Sequence, residues 1–326
     1  TPVLNFIYYP VSWVMLAWYK FFGLFLNPDS GVTWALSIIF LVFTIRIFLF
    51  KPMANQMRSG RKMQELQPKM QEIRAKYKND QQTQAIEMRK LQKEMGVNPL
   101  ASCLPALVQM PIFISLYHVL RSFNRTGTGH GELGMTVEQT RNTPNYGFGA
   151  TEVQSFLDAR LFGAPLSAYI RMPEKAFDAF SASGSVDFTR TNILVVAIPL
   201  MIISALATHF NARNMVRRNK ARQAADPKKN AQNPQMAMQA NMMNNMMLWL
   251  FPAMILITGM FWQIGLLTYM LANNVWTLGQ QIVLFNKMDR EEEEEKKAKA
   301  EAQRATAPKV GQKPKNNKKK GGKKKK

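Results

Sequence analysis

The nineteen residues from Val32 to Phe50, VTWALSIIFLVFTIRIFLF, carry one charge, Arg46. As a helix this run is about 28 Å long at 1.5 Å per residue, close to the roughly 30 Å of bilayer hydrocarbon. An arginine in such a span costs roughly 2.5–3.5 kcal/mol even on the lenient insertion scale. Two arrangements offset that cost. Arg46 reaches the water boundary beside Lys51, five residues on, or it faces a hydrated interior.

The rest of the chain supports a membrane reading. Its 326 residues are 47% hydrophobic with a net charge of +22, and the two properties are segregated. Apolar residues gather in blocks of span length, and basic residues gather between and after them, as in a polytopic membrane protein. Five spans are expected, at 32–50, 100–121, 191–210, 246–263 and 264–286. The connection 51–99 holds eleven lysines and arginines, including Lys51, Arg58, Arg74 and Lys93, and 211–245 is also basic. The connection 122–190 balances its cations with acids such as Glu152, Asp158 and Asp187. Basic loops stay in the cytoplasm. The first span then runs from outside to inside and the C-terminus is cytoplasmic.

The connections have their own signatures. Segment 1–31 is rich in Tyr, Trp and Phe and is expected to lie as a helix in the outer interface, a sixth span being the other reading. Within 51–99, helix formers on either side of Asn79-Asp80 predict a helical hairpin. The Met- and Asn-rich run Gln235 to Met247 is read as a helix entering the membrane surface, with adaptable apolar contacts as the other use. The tail 287–326 mixes a glutamate run with lysine clusters and is expected to be disordered. It would attract a polyanion, anionic lipid or ribosomal RNA, or simply anchor the topology. The chain opens on Thr1 rather than Met, as one trimmed of an upstream leader would.

At about 100° per residue, the polar groups inside the spans fall on defined faces. Arg46 shares its stripe with Val42, Ile39 and Ala35, so its partner must come from another helix or from water. Ser102 and Gln109 share a face of the second span, and Ser204 and Thr208 one of the third. Tyr269, Asn273, Trp276, Thr277 and Gln280 form a stripe on the fifth. No carboxylate lies in any span, which favours a wet, positive cavity over a dry arginine; interhelical packing is the other use of the neutral groups. His118, His130 and His209 have no metal-ligand spacing, and no phosphate-cradling glycine loop is present, so neither cofactor nor nucleotide is expected.

From Met63 to Leu120 the sequence resembles the YidC/Oxa family of membrane protein insertases. The resemblance rests on a charged hairpin followed by Asn98-Pro99-Leu100, Cys103-Leu104-Pro105 and Gln109-Met110-Pro111-Ile112-Phe113. Arg46 with Lys51-Pro52 and Gly265-Leu266-Leu267-Thr268-Tyr269 with Asn273-Asn274 add to it. It implies an all-α membrane protein of the bacterial plasma membrane, with five transmembrane helices around a hydrophilic groove open to the cytoplasm, a cytoplasmic hairpin and an N-terminal interfacial helix. It further implies a non-enzymatic insertase and chaperone for hydrophobic segments of nascent membrane proteins, working without ATP, alone or beside the Sec translocon. The basic tail could reach the ribosome or anionic lipids. The substrate groove would comprise Arg46, Ser102, Gln109, Ser204, Thr208, Trp262, Tyr269, Asn273 and Thr277. The turn Phe261-Trp262-Gln263-Ile264-Gly265 departs from the usual aromatic-Pro pattern, so Trp262 or Phe261 would fill the tryptophan's place. An anion or small-solute transporter using Arg46 is the alternative, weakened by the lack of two matching halves.

Overall fold

The computed structural model describes residues 5–96, 104–127, 133–225 and 234–306. It is largely helical. Helix α1 (Asn5–Gly23) is followed by α2 (Gly31–Lys76), α3 (Gln81–Glu94) and α4 (Leu104–Arg121). Short helices α5 (Val137–Asn142) and α6 (Ala150–Asp158) lead into an antiparallel pair, β1 (Arg160–Leu161) and β2 (Ala164–Pro165), and a 3-10 turn at Glu174–Phe180. Then come α7 (Arg190–Ala225), α8 (Pro234–Asn245), a π segment (Met246–Leu250), α9 (Phe251–Thr258) and α10 (Ile264–Thr306). The chain divides into two compact units, Thr1–Gly279 and Gln280–Lys326.

Three helical stretches among the described residues are long and apolar enough to cross a bilayer: Gly31–Met63, Arg190–Ala221 and Met238–Phe261. They overlap the first, third and fourth expected spans, the fourth of which runs two residues past Phe261. The second overlaps a shorter apolar helix, Leu107–Arg121, and its first four residues, 100–103, lie outside the described set. The fifth falls within α10, where the polar stripe through Tyr269, Asn273 and Thr277 dilutes the apolar character.

Two helices, α2 and α3, flank Asn79-Asp80. Helix α2 continues through the membrane-length run to Lys76, and the turn ends at Asp80, whose carboxylate accepts from the Thr83 amide at 3.0 Å and caps α3. The Thr83 hydroxyl and amide hold this carboxyl below its usual range. The segment 287–306 departs from its expectation: it is helical, not disordered. Glu292 pairs with Lys296 at 2.8 Å and Glu293 with Lys297 at 2.9 Å, the favourable Glu-before-Lys spacing of a helix surface. Residues 307–326 lie outside the described set.

The described residues of the long connection 122–190 build a packed core together with α1 and α2. Phe123 stacks on Phe156 at 4.0 Å, Trp34 of α2 meets Phe156 edge-on at 5.0 Å, and Tyr19 of α1 stacks on Trp34 at 3.9 Å. The Tyr19 hydroxyl and the Trp34 indole both reach Ser155 Oγ, so the polar ends of these buried rings are satisfied. Helix α1 touches the connection along its length, with Tyr8 and Tyr9 against Tyr146, Ser12 Oγ accepting from the Gly147 amide, and Tyr19 at Ser155. Arg141 and Asp158 pair at 2.6 Å beneath it. The connection also completes α10: the carbonyls of Ala168 and Leu166 accept from the first helical amides, Ile264 at 3.0 Å and Gly265 at 2.8 Å, groups a helix start leaves without partners.

Two contacts in this frame predict large local effects. A Cβ on Gly31 would lie 2.2 Å from the Arg160 carbonyl carbon and oxygen. Backbone cannot swing aside as a side chain can, so Gly31→Ala is expected to lose about 1–3 kcal/mol, read as a lower thermal midpoint. The second is at the break in the fourth expected span. The Leu248 carbonyl would normally accept from residue 252, but that residue is Pro252, which has no amide hydrogen. His209 of α7 supplies the donor, Nδ1 lying 2.8 Å from that oxygen, and its ring packs against Trp249 at 4.9 Å. His209→Ala should cost about 1–2 kcal/mol by orphaning the carbonyl. An unchanged midpoint would show that the π segment satisfies itself.

Candidate functional site

Three helices bring one polar cavity together. Helix α2 contributes Val42, Ile45 and Arg46, α4 contributes Gln109 and Ile112, and α10 contributes Tyr269 and Asn273. Each set follows i, i+3 or i+4 spacing, so each occupies one face of its helix. The pocket is half open to its surroundings, and its interior volume of about 10 Å³ is room for about one water. It is far too small for a helix.

Arg46 is 8% exposed and turned inward onto α10. Its Nε and Nη2 both donate to Asn273 Oδ1, at 2.9 and 2.5 Å. A guanidinium has five N–H groups, and among the described residues only these two find a protein acceptor. Among the described residues, no carboxylate lines the cavity. Across from Arg46, the Gln109 amide donates to the Tyr269 hydroxyl, fixing both side chains on the wall. A buried cation held by one neutral amide keeps most of its charge available. Water or an acidic group entering the cavity is what the remaining donors can satisfy.

The other expected residues stand apart. Trp262 packs on Phe113 at 5.8 Å, and Phe113 on the wall residue Tyr269 at 6.2 Å, so Trp262 joins the cavity wall only through Phe113 and does not line it. Phe261 is exposed, with the Arg171 guanidinium over its ring. Ser204 is fully buried and does not line the cavity; its hydroxyl has no hydrogen-bond partner among the described residues. Thr208 donates to Asn274 Oδ1 at 3.2 Å, and Asn211 donates to the same oxygen and to the Asn274 carbonyl. The adjacent Asn273 and Asn274 thus serve α2 and α7 respectively, because consecutive helical residues point about 100° apart. Thr277 donates back to the Asn273 carbonyl at 2.7 Å, steadying that turn from outside the cavity. Ser102 lies outside the described residues. Sequence reasoning missed Ile45 and Ile112 as wall residues and Asn274 as the link to α7. Their spacing to Arg46, Gln109 and Asn273 was the available signal.

Comparison with known proteins fits this arrangement. The 60Kd inner membrane protein family matches residues 25–292. A protein of Mycobacterium tuberculosis named "Membrane protein insertase YidC" is 44% identical over 312 residues, covering 96% of this chain and 81% of the relative. The protein of that name from Mycolicibacterium paratuberculosis is 44% identical over 98% of this chain and 85% of its own length. The one from Streptomyces avermitilis is 35% identical over 86% and 58%. An arginine-centred cavity within an all-α membrane protein, together with a match across most of the chain, places this protein in the 60Kd inner membrane protein family, to which the YidC insertases belong.

Proposed function

We infer that this protein is a membrane protein insertase that passes hydrophobic segments of nascent proteins into the bilayer. The cavity is the inner end of a groove open to the cytoplasm, within a bundle of five spans whose C-terminus is cytoplasmic. The observation that carries the reading is Arg46: a buried guanidinium with, among the described residues, one neutral protein acceptor and no counter-ion in the cavity wall.

The division of labour follows from magnitudes. A short polar outer segment of the substrate enters the cavity, where a charge-assisted hydrogen bond contributes about 1.5–3 kcal/mol. The apolar helix does not enter, since a pocket of about 10 Å³ cannot hold it. It moves along the lipid-facing surfaces instead, where each fully transferred Leu or Phe contributes roughly 1.5–3 kcal/mol. A dozen such residues outweigh the cavity contacts, so release needs no nucleotide. An acidic outer segment gains about 2.3 kcal/mol per charge per 100 mV from an outside-positive potential. The basic hairpin α2–α3 and the basic tail are suited to receive substrate near the Sec translocon, ribosome or anionic headgroups.

The test is reconstitution of the purified protein in liposomes without nucleotide. Protease-protected insertion of a single-span substrate with an acidic outer segment is expected. Uptake of a labelled anion with no insertion would indicate a transporter.

A further inference from the structure

The turn between β1 and β2 holds a residue that its backbone does not suit. Phe162 has φ +50° and Gly163 φ +87°, the shape in which Asn, Asp or Gly is normal at the first position and a bulky side chain is an outlier. Phe162 is 81% exposed and makes no ring contact among the described residues. Nothing in the fold of the connection therefore uses the ring. Its position supplies a use. A Cβ on Gly163 would lie 3.2 Å from Asn192 Nδ2, in the first turn of α7, where Asn192 Oδ1 accepts from the Thr189 amide and hydroxyl. One turn on, the same helix face becomes exposed and apolar, with Val195, Ile198, Ile202 and Leu206 spaced by three, four and four. Helix α7 contains one of the stretches able to cross a bilayer, Arg190–Ala221.

We propose that Phe162 is a membrane anchor whose ring enters the headgroup–acyl boundary just above this face of α7, fixing the depth at which the connection rides on the lipid. The occupant is lipid because the apolar surface beside the turn continues down a spanning helix, and aromatic residues gather at that boundary. The inference rests on α7 crossing the membrane and is independent of what the Arg46 cavity does.

Cys103 is the sole cysteine, so Cys103→Ser with Phe162→Cys gives one spin-label site, and Cys103→Ser with Ala182→Cys gives an exposed control. In lipid nanodiscs, the label at 162 is expected to collide with oxygen severalfold more readily, relative to a water-soluble nickel chelate, than the label at 182. Equal ratios at the two sites would overturn the proposal, and so would low access to both reagents, which marks a protein contact. Phe162→Asn, better suited to the turn, should leave the thermal midpoint in detergent unchanged or higher. A fall would assign the ring to internal packing instead.

Discussion

Arg46→Ala is expected to lower insertion of substrates with acidic outer segments about ten- to hundredfold, the equivalent of one charge-assisted hydrogen bond of about 1.5–3 kcal/mol. Substrates with uncharged outer segments should lose far less. The variant should fold, since the change removes a buried cation that Asn273 alone holds among the described residues, and deleting an ill-compensated charge often costs little. Arg46→Lys separates charge from shape. An ammonium cannot reproduce the paired donation from Nε and Nη2, so retained insertion would show that positive charge alone does the work. The measurement is protease-protected yield in proteoliposomes for matched substrates that differ only in outer acidic residues. Equal losses for acidic and neutral substrates would assign Arg46 to bundle stability.

Asn273→Asp should have the second large effect, with the opposite sign on stability. An aspartate at this position sits where Oδ1 already accepts from Nε and Nη2 at 2.9 and 2.5 Å, and becomes a counter-ion that the described residues of the cavity wall do not provide. The thermal midpoint should hold or rise, because the guanidinium gains a full negative partner. Insertion of acidic substrates should fall about as far as in Arg46→Ala, because the cavity is now neutral. Asn273→Leu strips the acceptor without adding charge and should cost about 1–3 kcal/mol of stability. A more stable Asn273→Asp variant with full activity would rule out an electrostatic role for the cavity.

Much of this architecture was legible because it depends on local signals. The apolar run around Arg46, the helix formers flanking Asn79-Asp80 and the i, i+4 stripe of Tyr269 and Asn273 each state their face or turn in a few residues. The need for Arg46 to find its partner on another helix could be read the same way, since its own stripe is apolar. What could not be read were relations between distant segments. The core of 122–190 is completed by Tyr19 and Trp34 from outside it, so the segment alone looks like a polar loop. Helical angles placed Ser204 and Thr208 on one face of α7, but not that this face meets the Asn274 side of α10 and not the Asn273 side. The segment 287–306 resembled a disordered tail by composition, while its Glu-to-Lys spacing was already that of a helix.

The central claim is that the Arg46 cavity receives the polar outer segment of a substrate while the apolar helix stays outside. A photo-crosslinker in place of Ile112, a wall residue with no polar role, tests it in stalled ribosome–nascent chain complexes on membranes. The account predicts adducts with the outer polar segment at intermediate chain lengths, lost once the chain is long enough to release. Adducts only with lipid at every length, or only with the apolar segment, would contradict it.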